Sequence, residues 1–329
     1  MMSLIRNKQR LIHLYRYLLE NTDEDHQVTT NDLVEFLKKE DANARRKTGK
    51  DDIEILILEG IDIVTTKSYY NSYFVGSRLF EMPEIKLLVD GLAANVSLTS
   101  EQKEKINDKL LSTLSVYQAE KLRNAIAYTD SRGSEHFYYS IDRITDAICE
   151  NKKIAFQYFD YNAAGDKVLR DNGQYIVITP FVITCNFNRY YVLGYQTNLQ
   201  KIVTYRLDLM TRTKILSEQG DPKPTELDLS EYMKGLFQMQ CGPVTEIVLE
   251  CKNNTMLSII DKFGDNVDTW KSTVDSFYIK VSVSVSNAFY AWVFKHGGDI
   301  RIISPNSVVN GYMDMVRNAI KQDRKNGKA

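Results

Sequence analysis

Hydrophobic residues at helical spacing dominate the first forty positions of the chain. Apolar residues between Ile5 and Leu19 recur every three or four positions, with basic residues between them, which predicts an amphipathic helix. A second, shorter helix is predicted beyond Thr29. Thr29 and Asp32 have the Thr-x-x-Asp spacing of an N-cap, and an apolar stripe begins at Leu33.

A third helical pattern runs to Gly60 and has two unlike halves. Its first half is basic, and its second half returns to apolar spacing at Ile53, Leu56 and Ile57. A recognition helix has this polarity, because its N-terminal half reaches bases and phosphates while its C-terminal half packs on neighbouring helices. The residues predicted to carry most of the DNA contact are Arg45, Arg46, Lys47 and Lys50.

Two short strand patterns, at 61–64 and 69–75, predict a hairpin after the third helix. Three helices and a hairpin make a winged helix-turn-helix, so residues 1–80 are predicted to form a DNA-binding domain. Lys67 and Tyr70 in the wing are expected to add contacts to the DNA backbone. The alternative is a small helical bundle in which the basic residues form a solvated face.

A helical connector is predicted over residues 81–133. Pro83 stands at the first position of one helix, and apolar spacing predicts two more helices, at 100–115 and 116–128. A break containing Gly and Ser follows at 130–134, and a further helix then leads into a strand-rich region.

From residue 154 to 216, β-branched and aromatic runs alternate with polar turns and predict four or five strands. The clearest pair is a hairpin from Arg189 to Met210. Alternation places Arg189 and Tyr191 on one face of its first strand, and Arg206 and Asp208 on one face of its second. Guanidinium groups beside tyrosines suit an anion or a nucleotide. The alternative is a set of ordinary strand residues in which Arg206 pairs with an acid.

This hairpin resembles the hallmark of the WYL domain, a bacterial regulatory module named for Trp-Tyr-Leu. Residues 190–192, Tyr-Tyr-Val, occupy the Trp-Tyr-Leu positions, and residues 206–208, Arg-Leu-Asp, match the strand that follows. Leu209 stands where the family usually has a second arginine. Residues 154–158 and 179–181 fall where the family has its Phe-x-Tyr and Pro-Tyr elements.

The resemblance implies a small Sm- or SH3-like barrel over residues 134–220, and a ligand site within it. Tyr191 and Arg206 match the family motif residue by residue, and Tyr158 and Arg189 are secondary candidates. The cation that Leu209 does not supply could come from Lys201 or Arg212. Alternatively, Leu209 marks a pocket that has lost its ligand and remains as a scaffold.

Beyond an Asp-Pro-Lys-Pro linker at 221–224, strand and helix patterns alternate from 245 to 321. Their order suggests a βαββαβ ferredoxin-like unit, so residues 221–329 are predicted to be a linker and a C-terminal extension domain. The predicted fold class is therefore α+β with several domains.

Composition restricts the chemistry of the 329-residue chain. Its formal net charge is −1, so any nucleic-acid surface must be a local patch. Four cysteines lie far apart without a Cys-x-x-Cys pair, which predicts reduced core thiols. No run approaches the roughly 20 apolar residues of a spanning helix, so a cytoplasmic protein without membrane contact is expected.

Motifs of catalysis and cofactor binding are missing from the sequence. It has no Gly-rich phosphate loop, His-Glu-x-x-His, Gly-x-Ser-x-Gly or Cys/His metal spacing. Adjacent carboxylates such as Asp51 and Asp52 suit solvation or helix capping better than acid-base chemistry. We therefore predict no catalytic residues, no metal and no cofactor.

These patterns together predict a bacterial transcriptional regulator, not an enzyme. It is expected to bind double-stranded DNA through the winged helix as a homodimer, and to sense a nucleotide-like or oligonucleotide ligand in the WYL domain. One alternative is an accessory protein whose WYL face binds single-stranded DNA or RNA. A nuclease or hydrolase is a further alternative.

Overall fold

The computed structural model has a mixed architecture of helices and three sheets. The chain divides into two units, Met1–Glu135 and His136–Ala329. The structure describes residues 2–40, 45–67, 71–127, 133–134, 136–225 and 228–326.

The first unit begins with three helices and a small antiparallel sheet. Its sheet has the order β1-β3-β2, and the apolar stripes of the helices meet in a core that includes Leu14, Leu18, Leu33 and Leu56. The elements are α1 (Met2–Asn21), β1 (Val28–Thr29), α2 (Thr30–Glu40), α3 (Arg46–Leu58), β2 (Ile63–Thr66) and β3 (Ser72–Val75).

The start of α2 forms as its sequence predicts. The Thr29 backbone N–H donates to Asp32 Oδ2 at 2.8 Å, and the Asp32 N–H donates to Thr29 Oγ1 at 3.3 Å. This reciprocal pair satisfies donors that a helix start otherwise leaves open. Strand β1 lies outside the predicted elements, since two residues give no alternation to read.

Three further helices complete the first unit. They are α4 (Met82–Ala94), α5 (Ser100–Leu111) and α6 (Val116–Arg123). Thr99 and Ser115 cap α5 and α6, each accepting a hydrogen bond from a backbone N–H three residues later. Both helices end before the predicted limits of 115 and 128, and residue 128 lies outside the described part of the chain.

The second unit opens with a helix and six strands, against the predicted four or five. Their sheet has the order β5-β4-β6-β7-β8, with β9 also paired to β4. The described pairs form a half-barrel that is open between β8 and β9, where the resemblance implied a small Sm- or SH3-like barrel. The elements are α7 (Phe137–Cys149), β4 (Lys152–Tyr161), β5 (Lys167–Leu169), β6 (Ile176–Asn186), β7 (Arg189–Gln196), β8 (Lys201–Arg206) and β9 (Met210–Gln219).

A second antiparallel sheet with the order β11-β12-β10-β13 follows. Its apolar face packs on helices around Ile247, Leu249, Phe289 and Val293. From β10 to β13 the order is strand, helix, strand, strand, helix, strand. The elements are α8 (Leu229–Gly235), β10 (Val244–Lys252), α9 (Met256–Phe263), β11 (Thr269–Lys271), β12 (Ser276–Ser284), α10 (Asn287–Phe294), β13 (Ile300–Ser304) and α11 (Asn306–Asn326).

The first residue of the predicted linker, Asp221, is held by side-chain contacts. Asp221 accepts hydrogen bonds from Thr179 and Thr197, at 3.0 Å and 2.6 Å, and pairs with Lys153 at 3.3 Å. The hydrogen bond from Thr197 contributes most to holding the pKa of Asp221 below its ordinary value. The chain therefore leaves the six-stranded sheet from an anchored position.

Two sequence expectations need correction. Asp52 is 4% exposed and forms a bidentate pair with Arg10 on α1, at 2.8 Å and 3.0 Å, so it is neither solvated nor a cap. Adjacent helical residues point about 100° apart, which lets Asp51 remain exposed.

The four cysteines are free, but Cys149 and Cys185 are exposed, so the expectation of core thiols is wrong for these two.

No helix in the described ranges is long and apolar enough to span a membrane.

Candidate ligand cleft and nucleic-acid interface

A cleft of about 1480 Å³ opens beside strands β4, β7 and β8. It brings together all four residues predicted to bind a ligand, namely Tyr158, Arg189, Tyr191 and Arg206. Arg206 and Tyr191 are directly opposed in the register of β7 and β8. Side chains opposed across an antiparallel pair lie on the same face, so the register brings together two residues that alternation had assigned only to faces of their own strands.

Asp208 changes the electrostatics of that surface. It lies in a 3₁₀ turn, Leu207–Leu209, beyond the end of β8 instead of on the strand face. Arg206 donates two hydrogen bonds to it, at 3.1 Å and 2.7 Å, and Arg189 donates a third at 3.0 Å. Arg206 is therefore paired with an acid, as the structural alternative expected, while its side chain still lines the cleft.

Tyr158 of β4 also lines the cleft. Its ring is buried, and its hydroxyl oxygen accepts a hydrogen bond from the backbone N–H of Arg206 at 3.2 Å. Burial raises the pKa of Tyr158 to about 12. The phenol is consequently neutral at physiological pH and can act as a hydrogen-bond partner without adding negative charge.

Arg170 is a cleft residue that sequence reasoning missed. Its guanidinium lies 4.8 Å from the ring centroid of Tyr158 and donates two hydrogen bonds to Asp160. Asp171 and Asn172, the next residues, adopt left-handed backbone conformations with φ of 48° and 53°, which turn the chain sharply. The sequence shows only a polar turn at this point, and no pattern assigns the arginine to the cleft.

A second missed feature is the wall formed by residues 238–244. Leu236 and Met239 pack against Leu193 of β7, and the hydroxyl of Thr204 donates to the carbonyl of Met239. These contacts hold the segment against the WYL sheet. The only available signal was the group of apolar residues around 236–239, which lies outside every predicted element.

Of the two proposed substitutes for the missing second arginine, Lys201 lines the cleft and Arg212 is absent from its lining. Leu209 also lines the cleft, so its apolar side chain occupies part of the surface. The lining cations are Arg170, Arg189, Lys201 and Arg206, against the carboxylates of Asp160 in the lining and Asp208 behind it. The cleft thus retains a positive balance.

The basic residues predicted to contact DNA lie at the start of α3 and are all exposed, namely Arg45, Arg46, Lys47 and Lys50. No carboxylate in the described part of the chain pairs with any of them. Arg46 donates a hydrogen bond to Asn31 of α2 at 2.8 Å. The second half of α3 is buried through Ile53 and Leu56, whereas the basic residues at its start are exposed.

Lys67 and Tyr70 are the two residues predicted to contact DNA from the wing. Lys67 directly follows β2 and is exposed. Tyr70 lies outside the described residues, so its predicted role stays a prediction. Among the described residues, no group of three or more His, Cys, Asp or Glu side chains is arranged to hold a metal ion.

Comparison with known families identifies the domain that supplies most of the cleft lining. The WYL domain model matches residues 140–215, a span that runs from α7 through most of β9. The chain therefore carries a WYL domain, and the resemblance of the hairpin at 189–210 is confirmed. Comparison with curated proteins found no match.

Two solved structures show similarity over most of this chain. One is the proteasome accessory factor B/C (PafBC) of Arthrobacter aurescens, with 16% identity, 95% coverage of this chain and a TM-score of 0.30. The other is a CRISPR Cas-related protein, with 13% identity, coverage of 74% of this chain and 81% of that one, and a TM-score of 0.35. This chain spans 48% of the Arthrobacter structure. TM-scores this low do not establish a common overall fold.

Proposed function

We propose that this protein is a transcriptional regulator that binds duplex DNA through a winged helix over residues 1–80. A nucleotide-like or oligonucleotide ligand in the WYL cleft controls that binding. Residues 81–133 are the helical connector, 134–220 the WYL domain, and 221–329 a linker and ferredoxin-like extension. In this proposal the protein acts by binding and not as an enzyme.

The observation that carries the proposal is the cluster of four exposed basic residues in the first turns of α3. Cations bind phosphate oxygens most readily when they do not first have to break an ion pair within the protein. The arrangement of three helices with the sheet β1-β3-β2 also supports a winged helix. An overall charge of −1 makes such a local cluster more informative than it is on a basic protein.

The ligand half of the proposal rests on the cleft. It combines tyrosine rings, a positive balance of charge and about 1480 Å³ of space, which suits a ligand with phosphate groups and stacking bases. Because Asp160 and Asp208 already occupy three of the guanidinium groups, a ligand must compete with them or bind through the donors that remain.

Enrichment from random duplex DNA tests the function directly. The full chain is expected to select a defined sequence family, and short single-stranded oligonucleotides are expected to change its affinity for the selected duplex. Selection of no sequence above a random pool, at low and at physiological salt, would contradict the assignment as a regulator.

The rival function is a single-strand binder that uses the cleft itself. The same tyrosines and arginines support it, because base stacking beside a basic groove tolerates any sequence. Duplex and single-stranded affinities of the full chain separate the two. If changes in the cleft abolish all nucleic-acid binding while changes at the start of α3 have no effect, the rival is correct.

We further propose that the protein acts as a homodimer, because helix-turn-helix regulators match two-fold symmetry to paired half-sites. The helical connector and the C-terminal extension are the candidate interfaces. Light scattering at micromolar concentration is expected to give twice the chain mass of 37.9 kDa. A monomeric mass both with and without selected DNA would contradict this part of the proposal.

A further inference from the structure

A second cavity of about 780 Å³ lies in the same unit and adjoins the WYL cleft, with which it shares the lining residues Phe187 and Gln238. The turn between β6 and β7 forms one side of it, and helices α8, α9 and α10 form the others. The residues that matter for its chemistry are Lys234, Phe237, Asp261, Lys262, Trp292 and Lys295.

Lys262 is the unusual group in this cavity. Its ammonium donates one hydrogen bond, to the carbonyl of Leu236 at 2.6 Å, and lies 4.1 Å from the ring centroid of Phe237. No carboxylate within the described ranges pairs with it. Burial lowers the pKa of Lys262 to about 8, so the group is still mainly protonated at neutral pH, with further N–H donors available.

Aromatic rings form an apolar wall beside this ammonium. The ring centroids of Phe237 and Trp292 are 5.4 Å apart, and Lys295 stands 5.9 Å from the Trp292 ring. Trp292 is only partly buried. A planar ring could therefore pack against this wall while remaining within reach of the lysines.

The charge around the cavity is positive. Lys234, Lys262 and Lys295 line it against one carboxylate, Asp261. Lys234 is partly neutralised by Glu231 at 2.6 Å, whereas Lys262 and Lys295 have no ion pair among the described residues. A half-buried ammonium without a counter-ion is unfavourable, and an anion that enters the cavity removes this penalty.

We propose that this cavity is a binding site for a small aromatic anion, whose acidic group bonds to Lys262 and whose ring packs on Trp292. The site contains none of the four cleft residues predicted to bind a ligand, and it does not depend on the DNA-binding proposal. Its volume falls in the usual range for small-molecule sites.

Energy transfer to a fluorescent aromatic anion provides the first test. The chain has two tryptophans, so Trp270→Phe leaves Trp292 as the single donor. In this background, anilinonaphthalene sulfonate is expected to quench Trp292 with saturable binding. Lys262→Met should weaken the affinity about tenfold or more, since one charge-assisted hydrogen bond is lost.

Two matched variants control for effects on folding and general charge. Lys262→Arg keeps the cation and should retain binding within about threefold. Lys271→Met removes an exposed lysine of β11 that does not line the cavity, and should leave the affinity unchanged. Equal loss in the Lys262→Met and Lys271→Met proteins, or no transfer from Trp292, would overturn the proposal.

The affinity for the probe should also depend on pH. The anion needs the protonated ammonium, so binding is strong below about pH 8 and falls as pH rises through that value. The other charged groups facing the cavity are Lys234, Asp261 and Lys295. Lys262→Arg should abolish the decline near pH 8. The same decline in that variant would assign it to another group and remove Lys262 from the site.

A measurement on the wild-type chain needs no variant. Pyridoxal phosphate is itself an aromatic anion, and its aldehyde condenses with a neutral lysine amine, releasing water to give an imine that borohydride reduces to a stable amine. Mass spectrometry is expected to find Lys262 as the principal labelled residue, protected by anilinonaphthalene sulfonate. Even labelling of the exposed lysines, without protection at Lys262, would show that the cavity does not select aromatic anions.

Discussion

The basic turn of α3 and the WYL cleft both contain arginines, but only the arginines of the cleft are paired with carboxylates. At the start of α3 the cations are exposed and pair with none of the described carboxylates. In the cleft, Arg189 and Arg206 share Asp208, and Arg170 is bound to Asp160. Burial accounts for the pairing of Arg189 and Arg206, which are only partly exposed, because a cation removed from water needs a partner. Arg170 and Asp160 are both exposed, so burial does not explain their pair.

The two arrangements suit different kinds of recognition. Exposed cations can meet a phosphate backbone with little reorganisation, and their contribution is strongly reduced by salt. Paired cations are held in fixed positions, so a ligand gains only the difference between its own contacts and those it displaces. We therefore expect the α3 residues to govern overall affinity for DNA, and the cleft residues to govern selectivity for a smaller ligand.

Removing the exposed charges should have the largest effect. Replacing Arg45, Arg46, Lys47 and Lys50 together by Ala is expected to weaken duplex binding at least about a hundredfold. The slope of log affinity against log salt should fall by about 0.9 for each lost phosphate contact. Fluorescence anisotropy with a selected duplex at several salt concentrations measures both quantities.

A control with the same change in net charge separates this effect from general electrostatics. Arg143, Lys167, Arg212 and Lys214 of the WYL domain are exposed and do not line the cleft, and replacing all four by Ala should leave most of the affinity and the salt slope intact. Equal losses in the two quadruple variants would mean that α3 is not the DNA-contacting element.

Asp52 holds α3 in place by pairing with Arg10 of α1. Asp52→Ala is expected to lower the free energy of unfolding by about 3 kcal/mol, because it removes the buried carboxylate that pairs with the Arg10 guanidinium. Asp51→Ala, at the exposed neighbouring position, should change it by less than about 0.5 kcal/mol. Urea titration measures the free energy of unfolding of both variants. Equal stability of the two would contradict the prediction.

In the cleft, Arg206→Ala should reduce the affinity for a short oligonucleotide at least about tenfold, while duplex binding remains near that of the wild type. Arg212→Ala is the matched control, because Arg212 is exposed and absent from the cleft lining. Calorimetric titration gives the affinities. If Arg206→Ala binds every tested nucleotide as the wild type does, then Arg206 has a structural role and Leu209 marks a site that no longer binds a ligand.

The smallest effect is expected at Tyr158. Tyr158→Phe leaves the Arg206 N–H without its acceptor and should cost about 1 kcal/mol of stability at neutral pH. Because the folded-state pKa of Tyr158 is raised to about 12, its stabilisation is complete below the ordinary tyrosine pKa of about 10 and is lost as pH rises towards 12. The variant should therefore lose less stability than the wild type between about pH 10 and 12, as followed by circular dichroism.

Much of the local structure could be predicted because it depends on short-range patterns. The Thr29–Asp32 cap, the apolar second half of α3 and the hairpin at 189–210 each follow from side-chain spacing and backbone geometry. Alternation assigned Tyr191 and Arg206 to faces of their own strands, and the WYL motif depends on the same few residues. These features need only the periodicity of a helix or a strand, which the sequence determines by itself.

The tertiary structure decided which charges are paired and which surfaces are covered. Arg10 and Asp52 are 42 residues apart in the chain, and Arg170 and Asp160 are 10 apart across a sharp turn, so no local period connects either pair. The wall at 238–244 and the burial of Lys262 likewise depend on how the C-terminal elements pack against the WYL sheet. Spacing predicts the face on which a side chain lies, whereas its charge state and partners depend on what the folded chain brings to that face.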